Sequence, residues 1–188
     1  MTTMAGARTT SAPPALPSLM DPCTTCRDAH AWLRWLISRT LGACDVLSHD
    51  ELHRAFPIGI GSVHATLVHL AGAERIWICV LEGDDAGVVM PQPADLPDLA
   101  AIRAHLAATR TRWDAYLARL TPAELERVVE RHRDGRVFRQ KAGDAIMQVP
   151  THALYHNAQL SFMFRSMGRS LPDSSWILWG RERAGQPA

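Results

Sequence analysis

His152 and His156 stand four residues apart in the segment Met147–Leu160, which otherwise reads as helix. Four residues is slightly more than one helical turn, so both imidazoles leave the same face and can grip one ion. Val149, Leu160 and Met163 are the apolar residues of that face, which aims the pair at a core rather than at water. Pro150 removes one backbone hydrogen bond and is expected to kink the helix just before His152, re-aiming both imidazoles. Such a pair also occurs as ordinary hydrogen-bonded core histidines; a third imidazole upstream is what argues for a metal.

That third residue is His69. Val63, Leu67, Leu70, Trp77 and Leu81 form a helical stripe, with Ser62 as N-cap and Gly83 as the closing residue. His64 and His69 lie five residues apart and therefore on different faces, so only one of them can join the later pair. Around His69 the residues Ala65, Gly72 and Ala73 are small and leave room for an ion and its waters. Gly72 weakens a helix by about 1 kcal/mol relative to Ala, so a packing reason is expected for it. Three neutral imidazoles leave a divalent cation its full charge and open positions, which suits activation of water or a thiol better than a closed structural site. His49 and His53 sit among Asp50, Glu51 and Arg54 and read as solvated, and His105 and His132 read as surface residues.

The elements that must position these residues can be read from periodicity. Ala29, Trp32, Leu33, Leu36, Ile37 and Leu41 predict a first helix over about 25–47, and Ser48–Gly61 reads as a connector whose Pro57, Gly59 and Gly61 stop helices. After the helix carrying His69 comes a proline-rich stretch over 84–97, long enough to cover a site. A third helix follows over 98–120, then a short turn at Thr121-Pro122, where Glu124 completes a capping-box spacing. Asp134-Gly135 between two β-prone runs is a strong hairpin signal. The last long helix is expected over 143–167, stopped by Gly168, and beyond it Trp176 and Trp179 read as core or interface anchors. The sum is an all-α four-helix bundle with a small β-hairpin in the crossover before the last helix, occupying residues 23–188 behind a disordered N-terminal tail, residues 1–22, rich in Thr, Ser, Ala and Pro.

Composition narrows the function. The 188 residues are 47% hydrophobic and 21% charged, an ordinary balance for one soluble domain. A net charge of +1 with dispersed basic residues gives no footprint for nucleic acid. No apolar run is long enough to span a membrane and no signal-peptide pattern opens the chain, so a cytoplasmic protein is expected. Cys23, Cys26, Cys44 and Cys79 then read as reduced thiols. Cys23 and Cys26 form a CxxC close to His30, but no fourth ligand or second CxxC accompanies them, and a structural role is expected. No internal repeat, phosphate-cradling glycine loop or nucleophile elbow is present.

The text from His64 to Trp77 and the text His152-Ala-Leu-Tyr-His156 with Asn157-Ala-Gln159 resemble the DinB/YfiT-like family of metal-dependent proteins. The resemblance spans about residues 26–179. It implies a four-helix bundle in which His69, His152 and His156 hold a divalent metal, nickel or zinc, with Gln159 on the ligand face and Ala73 beside the pocket. Where the family often carries Arg-Gly-Gln after the last ligand, this chain has Asn157-Ala-Gln159, so an arginine contact at 157 is not expected. The resemblance further implies a small-molecule substrate, thiol-dependent S-transferase, isomerase or hydrolase chemistry with a low-molecular-weight thiol cosubstrate, and pairing as a homodimer. The competing expectation is a non-catalytic, stress-related metal-binding protein, and the plainest one is three ordinary core histidines.

Overall fold

The structure, a computed structural model, describes residues 21–186. Of the stretch expected as an N-terminal tail, residues 1–22, positions 1–20 lie outside the described residues, while Asp21 and Pro22 belong to the start of the first helix. Helix α1 spans Pro22–Cys44, earlier than periodicity places it, because Asp21 caps it by accepting from the amides of Cys23 and Thr24 while Pro22 takes the first helical turn, where no amide is needed. The short α2, His49–His53, is closed by a reciprocal capping box between Ser48 and Glu51. Helix α3, Val63–Glu82, starts at Ser62, which accepts from the amide of Ala65, and ends at Gly83 in a left-handed conformation at φ 73°. Helix α4 covers Leu99–Ala118 and the single turn α5 covers Pro122–Glu126, capped by Thr121 as its sequence suggests. Strands β1, Val128–Arg133, and β2, Arg136–Lys141, pair antiparallel with Arg133 opposite Arg136. Asp134 and Gly135 both have positive φ, 51° and 71°, the requirement of a two-residue type I′ hairpin loop. Helix α6 runs unbroken through Pro150 from Ala142 to Ser166, and α7 covers Trp176–Arg183.

Helices α1, α3, α4 and α6 form the bundle, with α3 packed between α4 and α6 and α1 closing against α6. That central position explains why α3 is apolar nearly all round: Leu67, Leu70, Ile78 and Leu81 meet Ile102, Leu106 and Trp113 from α4 and Ile146, Val149, Leu160 and Met163 from α6. Each such side chain contributes about 1.5–3 kcal/mol on burial, the main force holding the helices in register. The hairpin is fastened at its base, where Val129 is buried and the Ala142 amide donates to the Arg127 carbonyl. Trp179 of α7 is buried against Trp32 and Leu36 in a satellite core, whereas Trp176 stays 43% exposed. All four cysteines are free thiols and buried, and among the described residues no helix is long and apolar enough to cross a membrane.

Candidate metal centre

The two helices that carry the three histidines are neighbours. His69 leaves α3 and meets His152 and His156 from α6: the Nε2 atoms of His69 and His152 lie 3.1 Å apart, those of His152 and His156 3.0 Å. All three ligand atoms fall within 4.8 Å of one another, and among the described residues no other group of three His, Cys, Asp or Glu side chains converges in this way. Among the described residues Cys23, Cys26 and His30 form no such group.

The protonation pattern follows from the neighbours. Nδ1 of His156 donates to Oε1 of Gln159 at 2.8 Å, so its proton sits on Nδ1 and the Nε2 lone pair faces the cluster. Burial pushes the pKa of His152 down to about 4, with the neighbouring His156 and His69 adding to the shift. Burial, then the proximity of His156, lowers that of His69, and burial lowers that of His156 against the opposing pull of Gln159. All three rings are therefore neutral near pH 7. At these separations the three Nε2 atoms are held together either by an Nε2–H of one neutral ring donating to another or by a shared electrophile. Two nitrogens held about 2.0–2.1 Å from a zinc ion at a tetrahedral angle are about 3.3 Å apart, close to the separations seen here. The spacing of the donor set thus fits a divalent cation, and the Gln159 carboxamide fixes the orientation of the His156 ring.

The backbone makes room for that partner. Gly59, at φ 57°, faces the Gln159 carboxamide so closely that a Cβ there would stand 2.1 Å from Oε1. Asn157, at the position where the resemblance has an arginine, turns to the other side of α6, and its Oδ1 accepts from Thr40 on α1 at 3.2 Å. His64, as its different face requires, is engaged elsewhere, donating from Nε2 to the Leu96 carbonyl at 2.9 Å. Glu74 also points away from the histidines, into an ion pair with Arg110 of α4 at 3.0 Å.

A cavity of about 660 Å³ opens onto His69 and His152. Ala73 lines it. The stretch over 84–97 forms part of its wall through Val88, Val89 and Met90, so the cover expected from its length is present. Gly72 serves that cover rather than the ion: a Cβ there would stand 2.4 Å from both Met90 Sδ and Pro91 Cδ. Sequence reasoning missed the polar wall, which comes from Asp85, Gln148 and the hairpin residues Arg131, His132, Arg133 and Asp134. Their only signal was the hairpin's position just before the last helix. His132 is exposed and lines the cavity, and His105 is half-buried rather than at the surface.

A model of the DinB family matches residues 23–179, and the chain belongs to that family. The crystal structure of a DinB-like protein from Bacillus cereus ATCC 10987 shares the fold with a TM-score of 0.54 at 16% identity, over 78% of this chain and 94% of that one. Among curated proteins nothing matches the chain.

Proposed function

We propose that this DinB-family chain is a metal-dependent enzyme in which His69, His152 and His156 hold nickel or zinc at the edge of a small-molecule cavity, and that it acts as a thiol-dependent S-transferase or isomerase, or as a hydrolase. The observation that carries this reading is the one-sidedness of the site. His69 and His152 face both the shared centre and the cavity, while His156 is buried behind them and fixed by Gln159. Imidazole donors suit nickel and zinc. A divalent cation held there would supply Lewis acidity, lowering the pKa of a thiol or water presented from the cavity. The chain's own residues do the rest. Gln159 keeps the His156 lone pair on the centre, Ala73 leaves space beside it, and Val88 and Met90 help to wall the cavity. Among the described residues no carboxylate is hydrogen-bonded to any of the three imidazoles, which favours activation of a thiol over base-assisted hydrolysis. Four buried free thiols suit a cytoplasmic protein, and exposed Leu154, Tyr155 and Phe162 of α6 beside Trp176 suit a homodimer contact.

The same lack of a dedicated base supports a second reading, a metal-binding stress protein without catalysis. Elemental analysis of the purified wild type and of His152→Ala, followed by turnover assays with glutathione, bacillithiol and mycothiol against electrophiles, separates the readings. Metal in the wild type only, with metal-dependent turnover, is the expected result. Equal metal content in both proteins ends the proposal, and metal without turnover selects the second reading.

A further inference from the structure

We infer that Arg131 anchors a carboxylate of the small molecule that occupies the cavity. The inference rests on the reading of that cavity as the substrate site. Arg131 lies on β1, half-buried, and lines the same cavity as His69 and His152. Its guanidinium stacks over the Trp77 ring, 4.9 Å from the centroid, and among the described residues it makes no hydrogen bond or ion pair.

The other charges of the wall are already engaged. Arg133 pairs with Asp134 at 3.1 Å, and Asp85 accepts from the His132 amide at 2.9 Å with the His132 ring 3.5 Å away. Asp85 and Asp134 act on Arg131 only from beyond hydrogen-bonding range. Cation–π stacking satisfies the flat face of the guanidinium but none of its N–H groups, which remain open to the cavity. Those N–H groups form a planar fork that matches a carboxylate in bidentate fashion.

Arg133 and Asp134 neutralise each other, which leaves Arg131 facing an anion with Asp85 nearby; against that acid a singly charged carboxylate is repelled less than a doubly charged phosphate. Trp77, the platform for Arg131, lies eight residues beyond His69 on α3, about 12 Å of helix rise. The ligand is therefore a small molecule with its acid at one end and its reacting atom at the other. The acid belongs either to the substrate or to the thiol cosubstrate, since both share this chemistry.

The test is calorimetric titration of the metal-free and the zinc-loaded full-length protein with hexanoate and with its neutral isostere hexanamide. The wild type should favour hexanoate about tenfold, a difference of about 1.4 kcal/mol. Arg131→Gln should lose that preference and Arg131→Lys should keep part of it, both with unchanged metal content. Stronger competition by glutathione than by cysteamine would assign the carboxylate to the cosubstrate; equal competition would assign it to the substrate. No binding of hexanoate at millimolar concentration, an undiminished preference in Arg131→Gln, or tighter binding of inorganic phosphate overturns the inference. Retention of the preference in a protein that binds no metal would sink the enzyme reading while leaving the carboxylate anchor standing.

Discussion

His30 Nε2 donates to the carbonyl of Ile146 at 3.0 Å, across the interface between α1 and α6. Ile146 precedes Pro150 by four residues, so its carbonyl is the one that the missing proline amide leaves without a helical partner. The imidazole from a neighbouring helix supplies the missing donor, which lets α6 continue through a proline and carry His152 and His156 beyond it. Replacing His30 by Leu should therefore cost about 1–3 kcal/mol in the wild type. The cost should be smaller in a Pro150→Ala background, where an amide returns to serve the carbonyl. Urea denaturation of the four proteins completes the cycle, and equal costs in both backgrounds would refute the coupling.

Acid should destabilise the protein through the same residue. Burial, which outweighs the opposing bond to Ile146, pushes the pKa of His30 down to about 4, against an ordinary value of 6.5. Between those values the unfolded chain binds the proton and the folded one does not, so stability falls as pH drops from about 6.5 to about 4 and is constant above that window with respect to this group. The loss is on the order of 3 kcal/mol at the lower end. In His30→Gln, which keeps a donor but cannot titrate, urea midpoints should depend less on pH across that window. An unchanged pH dependence would remove His30 as the cause.

The tautomer of His156 should govern metal affinity. Replacing Gln159 by Leu removes the acceptor for Nδ1–H and should weaken zinc binding by about 10–100-fold, measured by competition with a chromophoric chelator. Gly59→Ala should shift affinity in the same direction although residue 59 provides no ligand, because its Cβ would displace the Gln159 carboxamide. It should also lower stability, since φ 57° is strained for alanine. Zinc affinity unaltered in both variants would show that the Gln159 bond is incidental.

Gly72→Ala sets two effects against each other. Helix propensity alone favours alanine by about 1 kcal/mol. The new methyl would collide with Met90 and Pro91, and the loop must lift from α3 to admit it. Pro91 cannot swing aside as a flexible side chain would, so displacement should win. Faster hydrogen exchange or proteolysis over residues 84–97, with a lower Tm, is expected; a higher Tm with an equally protected loop would show that the contact yields cheaply.

What the sequence by itself determined is local. A four-residue spacing placed His152 and His156 on one face, a five-residue spacing separated His64 from His69, and Asp134-Gly135 announced a hairpin whose two central residues adopt positive φ. These features arise from the periods of helix and turn, which neighbouring residues set among themselves. The small neighbours of His69 and the family resemblance already named it as the third imidazole, but only the packing of α3 against α6 brings it to a residue 83 positions later. Tertiary structure also decided that β1 turns Arg131 onto Trp77, that Gly72 admits a loop rather than an ion, and that His30 repairs the bond Pro150 breaks. The physical reason is that packing joins side chains far apart in sequence by shape and by unsatisfied hydrogen bonds, and neither leaves a period to read along one chain.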